Sequence, residues 1–252
     1  MLDAPHRPEY GPVMGVTVPQ ANTTVEPEMQ ALLGAGHTLL TARMHCHSDD
    51  SRKRLLDYFD TLSATAAQFD VAPLQVLGFA CTGSSYLVGA RREAEHLAAL
   101  TASRDYPVLS AAHSILQALH ALGAHRIALL SPYPHWLSEA GQTYWKTAGL
   151  TVTAVAGLPI EFLDTRNIYK LTTPAVQYIL TSLDTTGCDA VLMSGTGMPS
   201  LRTLAAHTLP MPVLSSNLCL AWAMKCAVQP DQSSTDLLHN MLAPNADWHS
   251  RL

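Results

Sequence analysis

The chain has 252 residues, of which 48% are hydrophobic and 14% charged, and its formal net charge at pH 7 is −5. This composition is typical of a globular protein with a large core and excludes a disordered chain. No Lys/Arg run is longer than Arg52-Lys53-Arg54, which excludes a phosphate-backbone footprint for nucleic acid. No apolar stretch reaches the ~18 residues of a membrane span. The N-terminus lacks a signal-peptide core and the five cysteines are irregularly spaced, so we expect a cytoplasmic protein with free thiols.

Short apolar runs alternate with helical stretches through the first half of the chain. The pattern predicts strands at 12–18, 38–44, 76–80 and 107–109. It predicts helices between them at 26–33, 51–68 and 89–100. This alternation is typical of βαβ units, in which helices cover both faces of a parallel sheet.

The second half repeats the first. Its predicted strands are 126–130, 150–155, 190–193 and 212–214, and its helices are 136–148 and 174–183. Cys81-Thr82-Gly83 follows the third strand of the first half, as Gly195-Thr196-Gly197 follows the third strand of the second. Likewise, the residues 107–110 (Pro-Val-Leu-Ser) recur at 212–215.

The repeat predicts an α/β fold of two similar three-layer α/β/α lobes, each with a parallel four-stranded sheet, related by a pseudo-two-fold axis. We expect residues 1–118 with 216–252 to form one lobe and residues 119–215 the other. Ligands bind at the carboxyl ends of the strands in open α/β sheets. The cleft between the lobes is therefore the predicted active site.

Cys81 ends a predicted buried strand. The N-terminus of a following helix would lower the pKa of its thiol towards the thiolate. The backbone N–H groups and hydroxyls of Thr82, Gly83 and Ser84 are suited to hold a carboxylate or an oxyanion. The alternative is that Cys81 is a small buried hydrophobe, the common state of cysteine in proteins.

The first strand of each half ends in a further candidate. Asn22, shortly after Pro19, either supports the strand-to-helix turn or offers its amide to an anion, with Thr23 or Thr24 as the helix cap. Tyr133 either projects its hydroxyl into the cleft or lies as an amphipathic residue at a domain boundary. Both positions are predicted to line the same cleft.

Metal and cofactor sites are not expected. His45-Cys46-His47 has metal-ligating residue types, but alternate residues at a strand end point to opposite faces and no second cluster completes the ligands. The Gly195-Thr196-Gly197 segment lacks the third glycine and the lysine of nucleotide-binding loops. No lysine occurs in the site segments, which argues against a Schiff base with pyridoxal phosphate.

Three segments in this order carry a family resemblance: residues 18–26 (Val-Pro-Gln-Ala-Asn-Thr-Thr-Val-Glu), 194–201 (Ser-Gly-Thr-Gly-Met-Pro-Ser-Leu) and 215–217 (Ser-Ser-Asn). They resemble the Asp/Glu racemase superfamily, specifically its maleate isomerase and arylmalonate decarboxylase branch. The resemblance implies a cofactor-independent homo-oligomer in which each half presents a cysteine to a small dicarboxylate. Cys81 matches the family's nucleophile, Tyr133 its tyrosine and Asn22 its carboxylate-binding asparagine. The loop donors implied are Thr82, Gly83, Thr196 and Gly197.

The second cysteine of that pattern is missing, because the repeat pairs Cys81 with Gly195. Two-base racemisation needs an acid and a base on opposite faces of the substrate, so amino-acid racemisation is not expected. Addition of the Cys81 thiolate to a cis-alkene dicarboxylate, with bond rotation and elimination, would make the protein an isomerase. Decarboxylation of a substituted malonate, with Cys81 protonating the enediolate, would make it a lyase.

The missing thiol favours decarboxylation, whereas the Asn22 and Met198-Pro199 segments favour isomerisation. Of the two activities, we prefer the isomerase. A non-catalytic anion-binding protein is the third alternative. The retention of Cys81, Thr82 and Tyr133 argues against it, since a sensor needs no thiolate.

Overall fold

The computed structural model describes residues 11–157 and 164–252. The first four strands are β1 (Val13–Pro19), β2 (Thr38–Met44), β3 (Val76–Phe79) and β4 (Val108–Ser110), which form a parallel sheet in the order β2-β1-β3-β4. The next four are β5 (Arg126–Ser131), β6 (Thr151–Gly157), β7 (Ala190–Met193) and β8 (Val213–Ser215), in the order β6-β5-β7-β8. The identical order confirms the predicted pair of similar α/β halves.

Helices flank both sheets. Before β5 they are α1 (Val25–Leu33), α2 (Ser51–Asp60), α3 (Leu62–Ala66), α4 (Thr82–Val88), α5 (Ala90–Ala102) and α6 (Ala111–Ala121). After β5 they are α7 (His135–Thr147), α8 (Thr173–Ser182), α9 (Leu201–Ala206), α10 (Ser216–Val228) and α11 (Ser234–Leu242). Short 3₁₀ helices span Ala67–Phe69, Thr165–Lys170 and Asp247–Arg251.

The predicted helices differ from the structure in two ways. The helix predicted over 51–68 is divided, because Thr61 ends α2 and begins α3. Five helices were not predicted, namely α4, α6, α9, α10 and α11, and α4 begins directly after Cys81. Gly89 separates α4 from α5 with φ at 79°, a left-handed conformation that glycine adopts without a steric penalty.

The strands of both sheet centres are buried. All seven residues of β1 and all four residues of β3 and of β7 are buried, as expected for parallel strands covered on both faces. Helix α10 follows β8 of the second sheet and contacts α1, α6 and β3 around the first. In the part of the chain that is described, no helix has the length and apolar character needed to cross a membrane. Residues 1–10, where a signal peptide was considered, lie outside the described residues.

Candidate active site

The carboxyl ends of the two sheets meet, as predicted. Cys81 follows β3 as the N-cap of α4, and Gly195 follows β7. The Thr196 hydroxyl donates to the carbonyl oxygen of Ala80 at 2.8 Å. The Thr24 hydroxyl donates to the carbonyl oxygen of Gly197 at 2.9 Å. Direct hydrogen bonds therefore join the loop after β7 to the loops after β1 and β3.

Cys81 is 4% exposed, and its sulfur lies 3.1 Å from the hydroxyl oxygen of Ser84. That hydroxyl donates its own proton to the carbonyl oxygen of Leu55 at 2.6 Å. Because a serine hydroxyl has one proton, the Cys81 S–H is the donor to Ser84. The hydrogen bonding thus favours a neutral thiol.

Burial raises the pKa of the Cys81 thiol above its ordinary value. The backbone N–H groups of Ser84 and Gly83 and the charge of Arg54 lower that pKa, in the direction expected at a helix N-terminus, but burial outweighs them. The predicted depression of the Cys81 pKa is therefore wrong. The sequence places the N–H donors correctly and does not reveal how completely the sulfur is removed from water.

We expect iodoacetamide to alkylate Cys81 slowly at neutral pH, with a rate that still rises above about pH 9, because the thiolate fraction of a group with a raised pKa increases there. Peptide mass spectrometry across this pH range measures the rate. The half-buried Cys188 and Cys226 serve as internal references for the reagent. A Cys81 rate that levels off near neutral pH would contradict the raised pKa.

Asn22 is 1% exposed and has the first of its two predicted roles, support of the strand-to-helix turn. Its Oδ1 accepts hydrogen bonds from the N–H groups of Thr24 at 2.8 Å and Val25 at 3.0 Å, and its own N–H donates to the Pro19 carbonyl. Asn22 therefore supports the start of α1. Thr24 is the N-cap of this helix, which confirms one of the two predicted cap residues, but its side chain makes no capping hydrogen bond. The buried Nδ2 has no partner among the described residues, so it remains available to an anionic ligand.

Tyr133 places its hydroxyl 2.8 Å from the Thr82 Oγ1. The charges of Tyr86 and Cys81 add to burial in raising the pKa of Tyr133, so its hydroxyl stays protonated at neutral pH. The neighbouring Tyr86 hydroxyl lies 2.6 Å from the Ser194 Oγ. The tyrosine hydroxyls thus link α4 of the first half to the loops after β5 and β7 of the second.

Gly195 adopts φ of 107°, and its N–H donates to Ser216 Oγ at 2.9 Å. A Cβ atom there would lie 3.0 Å from both Ile168 Cδ1 and Pro132 Cγ, and 3.2 Å from the Tyr133 hydroxyl. A side chain at this position would meet backbone strain on the order of 1–3 kcal/mol. The Gly195 N–H and the Thr196 hydroxyl both donate to partners within the protein. The substrate contacts expected of Gly195 and Thr196 stay a prediction.

Glu28 is buried on α1 and was not predicted. Its carboxylate accepts from the Ser200 N–H at 2.5 Å, the Ser200 hydroxyl at 2.8 Å and the Leu201 N–H at 3.1 Å. Asn217 Nδ2 donates to it at 2.8 Å and to the Thr196 carbonyl at 3.1 Å. Burial raises the pKa of Glu28, whereas these donors lower it. One carboxylate therefore fixes the loop that faces Cys81.

Arg54 is the second buried charge that was not predicted, at 1% exposure. Its guanidinium donates to Asp164 Oδ1 at 2.8 Å and to the Ser48 carbonyl at 3.1 Å. It joins the segment after β2 to the start of the 3₁₀ helix Thr165–Lys170. In the sequence, Arg54 ends an Arg-Lys-Arg run that is typical of a solvated helix face.

The His45-Cys46-His47 segment is accounted for by protein contacts. Cys46 Sγ donates to Asp57 Oδ2 at 3.0 Å, and the rings of His45 and His47 stack edge to face at 4.4 Å. No group of three or more His, Cys, Asp or Glu side chains suited to a metal ion occurs within residues 11–157 and 164–252.

Two α/β halves whose strand ends converge on a cysteine, a buried asparagine and a tyrosine define the two-lobed α/β enzymes of the Asp/Glu racemase superfamily. The sequence profile of the arylmalonate decarboxylase family matches residues 14–237, and the chain belongs to this family. The family expected from the sequence motifs is thereby confirmed.

The chain is similar to curated maleate isomerases over most of its length. It is 29% identical to that of Pseudomonas putida over 226 residues, covering 84% of this chain and 89% of the relative. It is 31% identical to that of Nocardia farcinica over 234 residues, covering 84% and 88%. The structure is also similar to a solved cysteine-to-serine variant of the N. farcinica maleate cis-trans isomerase, which holds a covalently bound succinylcysteine intermediate. The two structures superpose with a TM-score of 0.74 at 27% sequence identity, and the match covers 86% of this chain and 93% of that one.

Proposed function

We propose that the protein is a cysteine-dependent cis-trans isomerase of a small unsaturated dicarboxylate such as maleate. The observation that carries the proposal is the position of Cys81, at the N-terminus of α4 where loops of both sheets meet. The loop after the neighbouring strand β1 carries Asn22, whose Nδ2 has no partner among the described residues. The succinylcysteine of the N. farcinica variant supports the same chemistry here, because that variant forms the adduct although one cysteine is replaced by serine.

In the proposed reaction the Cys81 thiol first loses its proton to water. The thiolate then forms a C–S bond with one alkene carbon, and the π electron pair moves to the adjacent carbon and its carboxylate. The former double bond is now single and rotates. Return of the electron pair re-forms the double bond, breaks the C–S bond and releases the trans isomer with Cys81 as the thiolate.

Two sets of donors are proposed to hold the carboxylates. Asn22 Nδ2 would bind one of them, and pairing this buried group would recover about 1–3 kcal/mol of its desolvation penalty. The hydroxyl pair of Tyr133 and Thr82 would bind the other. The N–H groups of Gly83 and Ser84 point at the sulfur and would stabilise the thiolate when it forms.

Decarboxylation of a substituted malonate is the second candidate, and one observation favours it. The Cys81 S–H, which donates to Ser84, is a protonated thiol suited to deliver a proton. Loss of CO₂ would leave an enediolate, and transfer of the Cys81 proton to its carbon would give the monoacid and a thiolate. The glycine at position 195 is compatible with this route, which needs one thiol.

Proton NMR of the enzyme with maleate, and separately with phenylmalonate and alkylmalonates, distinguishes the two candidates. We expect maleate to convert to fumarate while the malonates persist. Conversion of a malonate to its monoacid, with maleate unchanged, would favour the lyase. Failure to convert any of them would contradict both proposals.

The lobe boundaries are also a proposal. The contacts of α10 with α1, α6 and β3 support a first lobe made of residues 1–118 and 216–252, with residues 119–215 as the second. The homo-oligomer implied by the family resemblance stays a prediction.

A further inference from the structure

Tyr169, in the 3₁₀ helix Thr165–Lys170, lies against the loop that carries Gly195. A Cβ atom on Gly197 would lie 2.5 Å from Tyr169 Cε1 and 2.8 Å from Cδ1, so the ring packs directly on the glycine backbone. Ile168 packs in the same way against Gly195, with its Cδ1 3.0 Å from a Cβ there. The two glycines therefore leave room that the side chains of Ile168 and Tyr169 fill.

The loop on which the Tyr169 ring packs is bonded to the residue before Cys81, because the Thr196 hydroxyl donates to the Ala80 carbonyl oxygen at 2.8 Å. Burial raises the pKa of Tyr169, and interactions with Cys81 and Tyr58 add to this rise. The same pKa is lowered by the charge of Arg54. The hydroxyls of Tyr133 and Tyr86 have partners in Thr82 and Ser194, whereas that of Tyr169 makes no hydrogen bond within the described part of the chain.

We infer that the Tyr169 hydroxyl is the acid and base on the substrate face opposite Cys81, in place of the missing second cysteine. This inference rests on the isomerase function proposed above. Cys81 belongs to the loop after β3 of the first sheet, whereas Tyr169 packs on the loop after β7 of the second. A substrate bound between these loops has the sulfur on one face and the phenol on the other. Position 195 itself has no side chain to act.

In this proposal Tyr169 gives one proton to the substrate and takes one proton back in each turnover. When the thiolate adds to one alkene carbon, the Tyr169 O–H gives its proton to the adjacent carbon from the opposite face, leaving tyrosinate and a succinyl thioether. Rotation by a third of a turn about the new single bond brings the original hydrogen of that carbon opposite the sulfur. Tyrosinate then takes this hydrogen as a proton, the double bond re-forms, and the C–S bond breaks to give the trans product and the Cys81 thiolate.

This stereochemistry requires the delivered proton to remain in the product. If tyrosinate removed the same proton that it had delivered, the geometry would be that before rotation and the cis substrate would be regenerated. Formation of the trans isomer therefore retains one solvent-derived hydrogen in each turnover. Rotation of an unprotonated adduct retains none, so an isotope label separates the two routes.

The test is conversion of maleate in D₂O, followed by proton NMR and mass spectrometry of the fumarate. We expect wild-type protein to give fumarate with one vinyl deuterium. Unlabelled fumarate would overturn the role of Tyr169 and leave the isomerase intact, whereas no fumarate at all would contradict the isomerase itself. This measurement needs no variant.

The variant Tyr169→Phe keeps the ring on Gly197 and removes the hydroxyl. We expect kcat to fall by about 10²-fold or more, with KM nearly unchanged and residual product free of deuterium. Tyr178→Phe is the matched control, because Tyr178 is 76% exposed on α8 and should retain wild-type rate and label. Labelled fumarate at the wild-type rate from Tyr169→Phe would overturn the assignment.

Discussion

Replacing Cys81 with alanine is expected to lower kcat/KM for the converted dicarboxylate by about 10⁴-fold or more, because no other group can form the bond to the substrate carbon. The side chain lost is small, so the fold should be retained. Isomerisation followed by NMR, with thermal unfolding measured in parallel, tests this expectation. Cys81→Ser should be similarly inactive, since a hydroxyl of far higher pKa replaces the thiol.

The control for this variant is Cys219→Ala. Cys219 is fully buried on α10, and burial strongly raises the pKa of its thiol. The same substitution there removes a buried sulfur without touching the loops around Cys81. It should leave turnover within a few-fold of wild type at a comparable cost in stability. If Cys81→Ala kept a tenth of the wild-type activity, Cys81 would not be the nucleophile.

The substitution Glu28→Ala is expected to lower the free energy of unfolding by about 3 kcal/mol or more, the largest effect on stability that we predict. It removes the acceptor of four hydrogen bonds and leaves the donors on Ser200, Leu201 and Asn217 buried without that partner. Urea unfolding followed by circular dichroism measures the change. Activity should fall as well, because Asn217 also fixes the Thr196 carbonyl.

Glu26→Ala is the matched control on the same helix. Glu26 pairs with Arg43 at the surface, where the two side chains are 32% and 44% exposed. Such a pair contributes on the order of 1 kcal/mol or less. Equal losses of stability in the two variants would show that the Glu28 hydrogen bonds do not hold the loop in place.

The arrangement of the sheets was predictable because it depends on patterns that the sequence carries directly. Buried parallel strands are short continuous apolar runs, and the match of residues 107–110 with 212–215 identifies the repeat. The helix α4 escaped prediction, since Thr82 to Val88 is short and rich in small polar residues. The sequence indicated a helix N-terminus near Cys81, but it did not indicate that a regular helix begins directly at Thr82.

The buried charges of the site were not predictable from local pattern. Glu28 follows a proline at the start of a helix, and Arg54 stands in a basic run, so each is typical of a solvated position. Their partners, Asn217 and Asp164, lie more than a hundred residues away along the chain. Tyr169 was not predicted either, because its packing on Gly197 is a contact between distant parts of the chain that local sequence pattern does not show.

Two of the four glycine codons differ from a cysteine codon by one base, so a second thiol at position 195 is a small change in genetic terms. The backbone of Gly195, at φ 107° and hemmed in by Pro132 and Ile168, makes that step conformationally expensive. Before cysteine fits, the peptide must rotate and its neighbours must shrink or move. The geometry of this loop therefore disfavours a second thiol at position 195.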